Sequence, residues 1–171
     1  MKTHCALVAM ISALLLALGS PVHAQPGTKV FQADLEGYQE TPLTLSTAGI
    51  GEFRATLNTA ETELSYELTF SGLEGGTVLF AHVHLGQIAT TGGVMFFLCG
   101  GGGKPACPSE GTVTGTVNAS NVMGPAGQGI APGEFAETIR AMRNGFAYAN
   151  VHTATYTTGE IRGQINIHQS P

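Results

Sequence analysis

Two histidines stand two residues apart in the stretch Phe80-Ala81-His82-Val83-His84-Leu85, whose odd positions, with Leu79 before them, are all apolar. Side chains alternate across a strand, so the odd set faces a core and His82 and His84 leave together on the opposite face, beside Val78 and Phe80. At i and i+2 the two backbones stand roughly 7 Å apart, which lets both imidazoles converge on one ion. A third candidate is His152. In Phe146-Ala-Tyr-Ala-Asn-Val-His152-Thr, the residues Ala147, Ala149 and Val151 make a small apolar side, and Tyr148, Asn150 and His152 make the other. Three neutral imidazoles form a good site for Cu(II) or Zn(II), with copper favoured by raw affinity. The same pattern also describes half-exposed strand histidines with His152 bonded to a turn, and periodicity alone does not separate the two.

Other reactive side chains carry weaker signals. Cys99 and Cys107 bracket Cys-Gly-Gly-Gly-Gly-Lys-Pro-Ala-Cys, a close even pair that reads as a disulfide if the chain is exported. The tetraglycine resembles a phosphate loop only in its glycines, because no Ser or Thr follows Lys104; a mobile loop pinned by the disulfide is the simpler expectation. No Gly-x-Ser-x-Gly elbow occurs, which leaves a serine hydrolase without its usual context. Glu40 is readable as an acceptor behind a histidine ring or as a loop-capping carboxylate. Glu160 and Arg162 sit two apart and read as a surface ion pair. His168 shares strand parity with Arg162 and is a minor ligand candidate. Met95, Met123 or water would serve as an extra ligand. Asn118-Ala-Ser120 is a glycosylation sequon in a host that uses such sites.

The elements that must position these groups are short alternating strands separated by Gly, Thr, Asn and Ser clusters, the pattern of an antiparallel sandwich or barrel. Alternation marks strands near 29–36, 49–57, 63–70, 77–85, 93–98, 111–118, 145–153 and 160–168. One helix interrupts them. In Pro132-Gly-Glu-Phe-Ala-Glu-Thr-Ile-Arg-Ala-Met-Arg-Asn-Gly145, acidic residues open the helix, Arg140 and Arg143 close it, and Phe135, Ile139 and Met142 form one apolar stripe.

The first 24 residues have the form of a secretory signal: Lys2, an apolar run from Ala6 to Leu18, the breakers Gly19 and Pro21, and Val22-His23-Ala24 before Gln25. That run is too short for a membrane span. Residues 25–171 are then a single domain, periplasmic or secreted, long enough to bury its own core. With seven Lys and Arg against twelve Asp and Glu, the net charge is −5. That balance excludes nucleic acid and anionic membrane surfaces as electrostatic partners. A protein partner is left unspecified, and the metal ion is the partner for which the residues argue.

The segments Leu35-Glu-Gly-Tyr-Gln-Glu-Thr-Pro-Leu-Thr-Leu-Ser-Thr-Ala-Gly-Ile-Gly-Glu-Phe53, Glu63 to Leu73, Ala81-His-Val-His-Leu-Gly86 and Gly145 to Ile165 resemble the CHRD domain, a module of exported bacterial proteins, in order and spacing. The likeness runs from about residue 29 to 168. Its C-terminal signature is Tyr148, Asn150, His152, Gly159, Glu160, Arg162 and Gly163; one departure is Pro42-Leu43, where the family usually has two prolines. This resemblance implies an all-β, Greek-key or immunoglobulin-like sandwich similar to superoxide dismutase, to which the residue pattern adds one short helix, and it implies no reaction. In two places the chain is also similar to copper/zinc superoxide dismutase. There a His-x-His and a later histidine bind copper, matched by His82, His84 and His152, and an arginine that attracts the anionic substrate is matched by Arg162. The bridging histidine and the zinc loop have no counterpart, and Asp34 is the only aspartate. What the likeness leaves is a mononuclear three-histidine copper site, used for copper handling or weak redox chemistry. The alternative is a metal-free interaction or matrix module.

Overall fold

A computed structural model describes residues 29–169, with side chains through Ile167. The proposed signal segment therefore lies outside the described residues. Nine strands form: β1 Lys29–Glu36, β2 Ile50–Leu57, β3 Glu63–Ser71, β4 Val78–Leu85, β5 Val94–Cys99, β6 Gly111–Asn118, β7 Ala147–Thr153, β8 Ile161–Gln164 and β9 Asn166–Gln169, with helix α1 at Phe135–Arg143. Every ladder is antiparallel. The strands run in the order β5-β4-β7-β8-β1-β2-β3-β6, with β9 beside β1. The β3–β4 and β6–β7 connections each leave one half of this path and arrive in the other. The order is thus non-sequential, as in Greek-key sandwiches. The two halves nearly close on each other, and the Tyr66 hydroxyl on β3 donates to the Leu98 carbonyl on β5 at 2.7 Å.

Alternation explains the core. Phe53, Ala55 and Leu57 on β2, Leu64, Tyr66, Leu68 and Phe70 on β3, and Ala81 and Val83 on β4 all point inward. Phe31, Phe53, Phe70 and Phe96 are among the largest fully buried side chains, each contributing about 2–3 kcal/mol through removal from water. Helix α1 adds Phe135, Ile139 and Met142, the expected stripe, together with Thr138. Glu137 in its first turn and Arg140 and Arg143 in its last complement the helix dipole. Among the described residues no helix is long and apolar enough to cross a membrane.

The last expected strand is two strands. At Ile165 the chain bonds its N–H to the Ala147 carbonyl at 2.8 Å and buries its side chain completely. Before that point β8 pairs with both β7 and β1, and beyond it β9 pairs with β1 alone. His168 pairs with Val30 on β9, and its side chain lies outside those described.

Candidate metal centre

The ladder between β4 and β7 decides where the histidines meet. Phe80 stands opposite His152, His82 opposite Asn150, and His84 opposite Tyr148. His152 is therefore the diagonal neighbour of His82, a spacing that long side chains bridge. On the other edge β4 pairs with β5 through two register irregularities, between Ala81 and His82 and between Val83 and His84. Such irregularities re-aim side chains locally. The ring centres of His82 lie 4.4 Å from those of His84 and 4.5 Å from those of His152.

Strand parity places these rings away from the sandwich core, yet their face is covered too. His82, His84 and His152 are only 4, 8 and 6 % exposed, which rules out the half-exposed reading. Two rings are oriented by backbone carbonyls: His84 Nδ1 meets the Gly92 oxygen at 2.8 Å and His152 Nδ1 the Thr157 oxygen at 3.0 Å. A carbonyl only accepts, so both Nδ1 atoms carry the proton and both Nε2 lone pairs are bare. Those two Nε2 atoms and His82 Nδ1 are buried without a hydrogen-bond partner in the protein. One ring nitrogen from each residue lies within 4.8 Å of the others, so the cluster could hold a metal ion. Metal–nitrogen bonds of about 2.0–2.1 Å set ligand nitrogens about 3.5 Å apart, so closure on an ion needs movements on the order of 1 Å.

Burial keeps the rings neutral. It pushes His82 down to about 2, with the neighbouring histidines adding to the effect. His84 is pushed down to about 4, again mainly by burial, against the Gly92 bond that favours its charged form. His152 is lowered for the same reason. Neutral imidazole is the form that binds metal, and an unpaired buried acceptor is costly without a ligand.

Aromatic rings wall the cluster. Phe80 stacks on His82 at 5.3 Å, and Phe97 meets the same ring edge-on at 5.1 Å. The tetraglycine loop lies on Phe97 and is no free tether. A Cβ on Gly101 would fall 2.6 Å from the Phe97 Cδ1 atom, so only glycine permits this approach. The Cys99–Cys107 disulfide closes that loop. On the other side Tyr148 lies parallel to His84 at 4.6 Å, and its hydroxyl accepts the Gly92 N–H. Gly92 thus links Tyr148 to His84 through its two backbone groups.

Arg162 lies beyond Tyr148. Its guanidinium sits 3.5 Å from the centre of that ring and donates to Thr41 Oγ1 and the Gln87 carbonyl. It is 2 % exposed. The expected Glu160–Arg162 surface pair does not form. Glu160 is instead fully buried, accepting the Glu74 and Gly75 N–H groups and the Thr153 hydroxyl. Glu40 accepts Asn150 Nδ2, on the residue opposite His82, and touches no histidine ring nitrogen through a hydrogen bond. Burial raises its carboxyl to about 7, with Asn150 and Arg162 opposing the shift. Gly159, at φ +128°, packs where a Cβ would lie 2.6 Å from the Glu40 carboxylate. A cleft of about 780 Å³ opens beside Glu40 and Arg162. Met95 packs into the hydrophobic core and Met123 is exposed at the surface.

Sequence reasoning missed the groups that orient the rings. Gly92 and Thr157 act through carbonyl oxygens, which every residue type has, and no sequence signal marks them. Phe80 and Phe97 look like ordinary strand residues. Tyr148 and Asn150 stand out only because they share strand parity with His152.

The fold and the cluster define a class: an antiparallel β-sandwich with a buried group of three neutral histidines able to hold a metal ion. The chain belongs to the CHRD domain family, whose model it matches over residues 31–165. No curated protein and no solved structure matches it.

Proposed function

We propose that this CHRD-domain protein binds a single copper ion through His82, His84 and His152 and serves in copper handling, or in weak redox chemistry, outside the cytoplasm. One observation carries the reading: three buried histidines each bring a ring nitrogen within 4.8 Å of the others, and each also keeps a buried ring nitrogen without a protein partner. In a typical folded chain buried polar atoms are paired, so three unpartnered nitrogens in one histidine cluster support a ligand there. Two of the rings hold the tautomer that exposes Nε2, the usual arrangement behind a metal-bound histidine. All-imidazole donors suit copper or zinc, and copper stands above zinc in intrinsic affinity for nitrogen sites. Bound copper would supply a one-electron couple. The protein's own part is to hold the rings neutral, fixed and dry.

Export rests on the form of the first 24 residues, and the Cys99–Cys107 disulfide is consistent with an oxidising compartment. The test is titration of the metal-free protein with Cu(II), Cu(I) and Zn(II), followed by calorimetry and, for Cu(II), by its absorption and spin-resonance spectra. The parent should take up one copper, and His82→Ala/His84→Ala should take up none. Equal uptake by both proteins would reject the site and leave the interaction-module alternative.

A further inference from the structure

The pocket is poor in compensating charge. Among the described residues the cluster contains histidines alone, with no Asp, Glu or Cys. Glu40 and Glu160, the buried carboxylates near this end of the sheet, spend their oxygens on Asn150, Thr153 and backbone N–H groups. The Arg162 cation acts on His84 from beyond the Tyr148 ring. Phe80, Phe97 and Tyr148 supply the walls.

From this arrangement we infer that the site is built for monovalent copper and binds Cu(I) in preference to Cu(II). The inference rests on the copper reading above. The cost of placing an ion in a medium of low dielectric rises with the square of its charge, so a divalent ion costs about four times as much as a monovalent one of equal size. Three neutral imidazoles reduce neither formal charge, and Arg162 adds repulsion that grows with it. Coordination number acts in the same direction. Cu(II) favours tetragonal surroundings with four or more donors, whereas three nitrogens complete a trigonal Cu(I) site. A divalent ion here would have to bring in an anion or water past rings that are at most 8 % exposed.

The experiment measures both affinities on the same metal-free protein. Cu(I) is titrated anaerobically against bicinchoninate, Cu(II) against nitrilotriacetate, and the reduction potential of the bound couple is recorded independently. Cu(I) should bind at least about 100-fold more tightly relative to the aqueous couple, which raises the one-electron potential by about 120 mV. Arg162→Gln should move the ratio toward Cu(II) by about tenfold, the effect of one charge a ring beyond His84 at an effective dielectric near 20. Equal or tighter relative binding of Cu(II) would overturn the inference and leave the copper site standing. Binding of neither ion would overturn both.

Discussion

The unpartnered nitrogen of His82 ties apo-protein stability to metal binding, and His82→Leu separates the two. In the metal-free protein that substitution removes a buried ring nitrogen whose lack of a partner costs about 1–3 kcal/mol. Leucine is of similar volume, and fitting it among Phe80, Phe97, His84 and His152 costs less than about 1.5 kcal/mol. The net is a gain of about 1 kcal/mol, or roughly 3 °C in melting temperature for a domain of this size. With copper the order reverses. At free metal a thousandfold above Kd, the parent gains about 4 kcal/mol and the variant, short of one ligand, gains far less. The assay is a pair of thermal melts, one in chelator and one under buffered copper. The curves should cross: the variant melts higher without metal and the parent melts higher with it. A variant that melts several degrees below the parent in chelator would refute the cost assigned to the orphaned nitrogen. A copper shift as large as the parent's would refute the ligand assignment.

Two other predictions concern pH and the loop. Because burial holds His82 and His84 below the unfolded value, the unfolded chain binds more protons between about pH 6.5 and 4, so apo stability falls as pH drops through that window. Each of these histidines contributes about 1.4 kcal/mol per pH unit there. Glu40 opposes them, since its raised carboxyl makes the folded state bind more protons between about pH 4.5 and 7 and costs stability as pH rises. Urea midpoints of the metal-free protein from pH 4 to 8 should rise toward neutrality and flatten near pH 7; a midpoint that rose on acidification would contradict the sign. Gly101→Ala should displace the Phe97 ring that meets His82 edge-on, lowering stability by about 1–3 kcal/mol and copper affinity by about tenfold. Unchanged affinity in a folded but less stable variant would show that the glycine loop supports the fold and not the site.

Much of the sandwich was legible in local alternation. The apolar sides of β2, β3, β4 and β7 follow directly from period-two patterning, and α1 from its stripe at Phe135, Ile139 and Met142. The break at Ile165 is not, because Ile161 to Ile167 keeps its alternation while the chain loses β7 as a partner and keeps β1. Glu160 reads as solvated for a related reason. A charged residue beside a turn looks solvated until the turn at Glu74 and Gly75 supplies two N–H groups to bury it.

The candidate site divides along the same line. Side-chain direction is a property of a few consecutive backbone angles, so residue order alone shows that His82 and His84 share a face of one strand and that His152 shares a side with Tyr148 and Asn150. It also shows that Cys99 and Cys107 are close enough along the chain to bond. That β7 lies next to β4 in the register that sets His152 diagonal to His82 is a property of the folded chain, since pairing between residues so far apart is chosen by the whole sheet. Burial of the outer face, the neutral state of the rings and the carbonyl acceptors at Gly92 and Thr157 belong to the tertiary structure as well. Desolvation and hydrogen bonding depend on every neighbour in space, and backbone acceptors leave no mark in residue type.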